Sequence, residues 1–456
     1  MRVLLLSTYD LGRQPFGLAS PAAWLRRAGH DVTCIDLSRD KLPPDAVAGA
    51  QVAAVYLPMH TATRLALPVI RRLRTLNPAL TIAAYGLYAP LNDALLREQG
   101  VTAVLGPESE EDLVAWVTGN PKGLPPPRMG SPEGSPPPRT GSPEGLPPLR
   151  TGSPEGLPPP RTGSPEGLPP QSLPRLAFIQ PDRSGLPPLD RYASLRMPDG
   201  SRKVVGATEA TRGCKHRCRH CPIVPVYDGQ FRAVPVDVVM ADVRALVTGG
   251  ATHITFGDPD FFNGPTHARR LVAALHAEFP ALTYDVIIKV EHLRQHREVL
   301  PLLVRTGCLF VTSAVESVDD DVLTKLDKGH TRADFVAAAA LCQAEGLTLV
   351  PTFVAFTPWT TLDGYRDLQD VVDALGLTPH VSPVQWGIRL LVTWQSRLLE
   401  LEDIQRVIGP FDRSTLTFPW RHPDPRVDEL QQHMMQLAAA PRLRTDVPYL
   451  DEPWYC

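Results

Sequence analysis

Short apolar runs alternate with longer stretches of helical periodicity along most of the chain. Runs at 3–7, 32–35, 52–57 and 80–84 are too short for helices and rich in Val, Ile, Leu and Ala, so they predict buried strands. Helices are expected at 21–28, with Ser20 as cap and Gly29 as stop, and at 63–76, 91–99 and 110–118. Strand–helix alternation of this kind implies a parallel, doubly wound sheet. After a break it resumes, with strands expected at 204–208, 253–256, 283–289, 309–315, 347–356 and 384–391. The helices between them are expected at 236–248, 267–278, 293–305, 333–345 and 362–375, and a last helical segment at 428–439 precedes a coil. About six such units make a partial barrel of parallel strands, whose reactive groups gather at the carboxyl ends of the strands.

The break has its own pattern. Gly-Ser-Pro-Glu-Gly recurs at 130–134, 141–145, 152–156 and 163–167, with Leu-Pro-Pro-Pro-Arg-like spacers, and many of the chain's 50 prolines lie there. A period of eleven residues is too short and too proline-rich for a repeat with its own core, so the segment reads as an extended tether. The expected organisation is α/β: a flavodoxin-like domain over 1–120, a Pro/Gly-rich linker over 121–180, a partial (β/α)6 barrel over 181–395, and a helical extension with a cysteine-bearing tail over 396–456.

Composition narrows this little. Hydrophobic residues make up 43%, charged residues 21%, and the formal net charge is −3, so nothing steers the chain toward nucleic acid or an anionic membrane. No stretch is apolar for long enough to span a bilayer, and residues 1–7 make a poor secretion signal. A cytoplasmic location is expected, with no nucleic-acid or membrane partner.

The cysteines change the picture. Of seven, Cys34, Cys308 and Cys342 sit in apolar stretches and read as small core residues, whereas Cys214, Cys218 and Cys221 crowd into eight residues directly after an expected strand. Three thiols at that spacing can wrap one face of an iron–sulfur cubane and leave its fourth iron without a protein ligand. The alternative is zinc held by these cysteines with His216, His220 or a distant histidine, but no second paired-cysteine knuckle is present.

Arg212-Gly213-Cys214-Lys215-His216-Arg217-Cys218-Arg219-His220-Cys221-Pro222 resembles the Cys-x3-Cys-x2-Cys signature of the radical S-adenosylmethionine (SAM) superfamily, and the resemblance covers about residues 200–390. It implies a [4Fe–4S] cluster on Cys214, Cys218 and Cys221, with SAM chelated at the open iron. It further implies that His220, in a commonly aromatic position, lies against adenine. Gly257 and Asp258 stand where the family has a Gly-Gly-Glu-like turn for the methionine amino group. Ser313, Glu316 and Ser317 would contact ribose or carboxylate, and Lys289 and Glu291 would face cofactor or substrate. The first domain resembles the cobalamin-binding domain that precedes many such barrels. The histidine of the Asp-x-His-x-x-Gly motif is missing from Asp10-Leu11-Gly12-Arg13-Gln14-Pro15, which tells against cobalamin.

A narrower resemblance rests on residues 58–64, 257–264 and 312–317 together with the terminal Asp-Glu-Pro-Trp-Tyr-Cys. These look like the radical proteins with a Cys-Cys-Ala-Glu-Pro or Cys-selenocysteine-Ala-Glu-Pro tail. The resemblance implies that a selenocysteine codon follows Cys456, and that the tail thiol takes part at the barrel mouth. The expected function is reductive cleavage of SAM, fed by an external electron donor, and modification of a small molecule. Two other readings stand beside it: 3-amino-3-carboxypropyl transfer, with trivalent arsenic as acceptor, and a non-catalytic zinc or iron–sulfur protein.

Overall fold

The computed structural model describes residues 1–119, 176–439 and, as backbone, 449–451; the Gly-Ser-Pro-Glu-Gly repeats and Cys456 lie outside the described residues. In the first module β1 (Arg2–Ser7), β2 (Asp31–Asp36), β3 (Val52–Tyr56), β4 (Thr81–Tyr85) and β5 (Ala103–Leu105) form one sheet in the order β2-β1-β3-β4-β5. Every pairing in it is parallel. Val3, Leu4, Leu5 and Leu6 are all buried, as expected where helices cover both faces of a parallel sheet.

The first helix departs from the sequence expectation. It runs over Phe16–Arg27, so Ser20 is not its cap but lies inside it, as does Pro21. Pro21 has no N–H for the carbonyl of Gly17, a defect that normally breaks a helix. The buried Tyr85 hydroxyl donates to that carbonyl at 2.7 Å instead, so the helix continues through the proline. The helix expected at 91–99 is split at Asn92 into Tyr88–Leu91 and Asp93–Glu98.

The second module is a sheet in the order β13-β12-β11-β10-β7-β6-β14. Its members are β6 (Ser194–Arg196), β7 (Arg202–Thr208), β10 (His253–Phe256), β11 (Thr283–Ile287), β12 (Cys308–Glu316), β13 (Thr348–Phe353) and β14 (Tyr449–Asp451). A separate two-stranded ribbon pairs β8 (Thr211–Gly213) with β9 (Phe231–Ala233). β7, β10, β11, β12 and β13 run parallel, while β6 and β14 add an antiparallel edge. The helix Val236–Thr248 presents Val239, Met240, Val243 and Leu246 at helical spacing to Ile254 and Phe256. Each such fully buried side chain contributes about 1.5–3 kcal/mol relative to exposure.

Two expected elements are modified. The strand at 384–391 is reduced to one parallel bridge, Phe356 with Arg389, preceded by a 3-10 turn at Pro383–Trp386. Pro383 cannot donate to a ladder, and the next donor, the Phe353 N–H, goes to the Gln385 side chain at 2.9 Å. The helix expected at 293–305 is interrupted before Pro301, giving Val290–Gln295 and Leu300–Arg305.

The modules meet over a buried arginine. Arg212 Nη2 lies 2.8 Å from Glu110 Oε1 and its Nε donates to Glu209 Oε2 at 2.8 Å. The same guanidinium reaches the Ser20 hydroxyl at 3.3 Å, and Ser20 donates to Glu110 at 2.7 Å. Arg183 adds a two-pronged contact to Asp242, 2.8 Å in each prong, and a 2.8 Å bond to Gln14.

Candidate active site

The cysteine loop leaves the end of β8 through Gly213, at φ 77°. A Cβ there would stand 2.4 Å from the Tyr227 ring and 2.5 Å from the Gln230 carbonyl, so only glycine fits the turn into Cys214. Asn263 fixes the loop from both sides: its Nδ2 donates to Gly213 O at 3.2 Å and its Oδ1 accepts from Lys215 N at 3.2 Å. Further along, Arg219 N donates to Leu326 O at 2.9 Å, and its guanidinium caps the carbonyls of Thr324 and Lys325. The loop closes on itself where Cys221 N donates to Cys218 O at 3.2 Å.

Cys218 is buried, and Cys214 and Cys221 are partly so. Burial pushes the Cys214 thiol up to about 11 and the Cys221 thiol up to about 12. As free groups they keep their protons at neutral pH; a bound cation is what makes them thiolates. Two ammonium groups face them. Lys289 Nζ lies 3.9 Å from Cys218 Sγ and donates to Lys328 O at 2.9 Å. Lys328 draws the Cys221 thiol back down against its burial. Three thiols on one turn beside two buried cations suit an anionic iron–sulfur cluster.

Around this centre the strand ends bring most of the expected residues together. His220 Nε2 lies 3.1 Å from Glu316 Oε1, and Lys328 Nζ lies 3.3 Å from the same oxygen. Burial alone would raise the Glu316 carboxyl, but Lys328 and His220 hold it at about 2. Glu316 has φ 69°, a left-handed backbone rare for a side chain this large, where the β12–β13 register shifts. Lys289 also approaches Glu291 at 3.8 Å. Ser313 is fully buried, and its hydroxyl makes no hydrogen bond among the described residues.

Other expected residues have these surroundings. Asp258 is fully buried, and its two oxygens accept from Ala210 N at 3.0 Å and Thr211 Oγ1 at 2.5 Å, so its carboxylate anchors the strand that leads into the cysteine loop. Gly257 is exposed, and a Cβ there would make only ordinary contact. The Ser317 hydroxyl accepts from Asp319 N at 3.1 Å and shapes the turn before the next helix. Lys328 and His330 were not singled out from sequence; they sit in a loop with no periodicity to mark it. His292 was missed as well, although it lies one residue after Glu291.

Residues 208–365 match the radical SAM superfamily. They form a radical SAM domain, which implies a [4Fe–4S] cluster and SAM as cofactors. Beyond that domain, the chain has the fold of cobalamin-dependent radical SAM enzymes. OxsB, solved with aqua-cobalamin and SAM, superposes with a TM-score of 0.64 at 12% identity, covering 95% of this chain and 66% of that one. TsrM, the radical SAM methyltransferase of Kitasatospora setae solved with tryptophan and a SAM analogue, superposes with a TM-score of 0.63 at 16% identity, covering 96% and 89%. Among curated relatives, hopanoid C-3 methylase of Methylococcus capsulatus is 23% identical over 219 residues, 46% of this chain and 41% of the relative. A tRNA-2-methylthio-N(6)-dimethylallyladenosine synthase of Sorangium cellulosum is 29% identical over 188 residues, 36% of this chain and 38% of the relative. The chain spans less than half the length of either relative. Among the described residues no helix is long and apolar enough to cross a membrane.

Proposed function

We propose that the protein is a radical SAM enzyme that cleaves SAM reductively and modifies a small molecule, drawing electrons from an external donor. The observation that carries this reading is the loop of Cys214, Cys218 and Cys221 beside two buried ammonium groups. A cluster on these thiols supplies one-electron reduction of the sulfonium of SAM. The chain's own residues do the rest. Lys289 and Lys328 offset the charge of the thiolates. Glu316 takes hydrogen bonds from His220 and Lys328, which holds the His220 ring beside Cys221 for a nucleoside to rest on. The buried strand ends keep bulk water from the reacting atoms.

The narrower membership, in the group with the Cys-Cys-Ala-Glu-Pro or selenocysteine tail, rests on residues 58–64, 257–264, 312–317 and the terminal Cys456. Intact mass of the native protein tests it: four residues beyond Cys456 are expected, and a mass ending at Cys456 rejects it. A second reading is favoured by the likeness to OxsB and TsrM along nearly the whole chain: methyl transfer with cobalamin held at the first module.

The test is anaerobic reconstitution with iron and sulfide, followed by SAM and a strong reductant, with the nucleoside product read by mass spectrometry. 5′-Deoxyadenosine is the expected product. Methylthioadenosine would point to aminocarboxypropyl transfer, and S-adenosylhomocysteine to methyl transfer. Absence of both a cleaved nucleoside and labile sulfide would overturn the enzyme reading. Cys218→Ala should abolish cluster absorption, and full retention would contradict the ligand assignment.

A further inference from the structure

Next to the cysteine loop lies a second group of ligating side chains that the cluster does not use. His216 in the cysteine loop, Asp260 after β10, and His292 in the helix Val290–Gln295 each place one ligand atom within 4.8 Å of the other two. His216 Nε2 lies 3.3 Å from His292 Nε2 and 3.6 Å from Asp260 Oδ2. Ligands on a tetrahedral zinc at about 2.0–2.2 Å stand about 3.3–3.6 Å apart, so both His216 spacings fit and the closer His292–Asp260 pair would open by about 1 Å to admit the ion.

What marks this group is a buried carboxylate shared by two imidazoles. Asp260 and His292 are buried, with side chains 0% and 1% exposed. Asp260 Oδ1 is accounted for, accepting from Phe262 N at 3.2 Å. Asp260 Oδ2 and His292 Nδ1 stand 2.5 Å apart, and His216 Nε2 approaches the same oxygen at 3.6 Å, so one carboxylate oxygen gathers both imidazoles.

We propose that His216, Asp260 and His292 form a second metal site, distinct from the cysteine cluster, for a borderline divalent cation such as zinc or ferrous iron. Two imidazoles and one carboxylate are the donor set that binds such ions while leaving coordination positions open. Glu291 flanks the site, its carboxylate 3.7 Å from His216 Nδ1. Glu291 also lines a cleft of about 310 Å³ with Arg294, Gln295, Gly329 and Asp334. The open positions therefore serve an electron-pair donor that enters from the cleft: an oxygen or nitrogen of the substrate, or water. The sequence hides the site because its ligands come from three segments, whereas the cysteines share one.

The test uses the full-length protein reconstituted with its cluster and then dialysed against zinc. Wild type should retain one zinc per chain beyond the cluster iron and sulfide, and X-ray absorption at the zinc edge should show nitrogen and oxygen neighbours without sulfur. Asp260→Asn and His292→Gln should each lose that zinc while keeping cluster absorption. His216→Gln, at a partly exposed position, repeats the test should the buried substitutions impair folding. Wild type without bound zinc, zinc with sulfur in its shell, or zinc retained by all three variants would overturn the proposal. SAM cleavage is read separately, so failure here leaves the cluster reading standing and failure there leaves this one.

Discussion

His330 shows how a single side chain at this centre sets a property of the fold. It is 6% exposed, and burial, with the Lys328 and Lys289 ammonium groups beside it, pushes its imidazole down to about 4. The folded chain thus refuses a proton that the unfolded chain accepts near 6.5. Stability is complete above that value and is lost as pH falls through 6.5 toward 4, by about 3 kcal/mol at the lower end. Urea unfolding between pH 7 and pH 4.5 should show this decline in wild type and a flatter profile in His330→Gln. Equal slopes in the two proteins would remove His330 as the cause. Sequence reading does not reach this residue. A histidine in an aperiodic loop looks like solvent-facing polarity until Lys328, Glu316 and His220 are seen to converge from other segments. The cysteines were legible for the opposite reason: their chemistry is written into one local spacing that needs no tertiary contact to recognise.

At the scale of elements, periodicity reports burial well and backbone compensation poorly. Residues 236–248 read as a helix and form one between the same bounds, because the apolar stripe that marks it is also what packs into the core over β7. Pro21 reads as a first-turn proline, yet the helix extends five residues ahead of it because a hydroxyl on β4 replaces the missing donor. Nothing near Pro21 in the sequence announces Tyr85. The 384–391 run failed as a strand for a similar reason: its apolar residues are real, but Pro383 and the Gln385 side chain take over the ladder's end. The Gly213 turn is the element on which the site most depends. Gly213→Ala adds a methyl where backbone and ring already stand, at a φ that costs a side chain about 1–2 kcal/mol. Reconstituted Gly213→Ala should hold well under half the wild-type iron and sulfide per chain. Normal loading would mean that the loop can open another way.

For the whole molecule, the decisive contact is Arg212 between the two modules. Its removal leaves Glu110 and Glu209 without their cation in a buried setting, a change that costs about 3–5 kcal/mol. Arg212→Met should lower the unfolding free energy in urea by that amount. A loss below about 1 kcal/mol would show that Arg183 and the apolar surfaces hold the modules together unaided.

Arg212 also stands one residue before the glycine turn and two before Cys214, while its guanidinium is gripped by Ser20 and Glu110 on two helices of the first module. The link has no slack: no flexible spacer separates the gripped side chain from the first thiol. A tilt of the first sheet is therefore transmitted to the thiols as displacement. Arg212 is the pin of a lever that runs from the helices of the first module to the thiols.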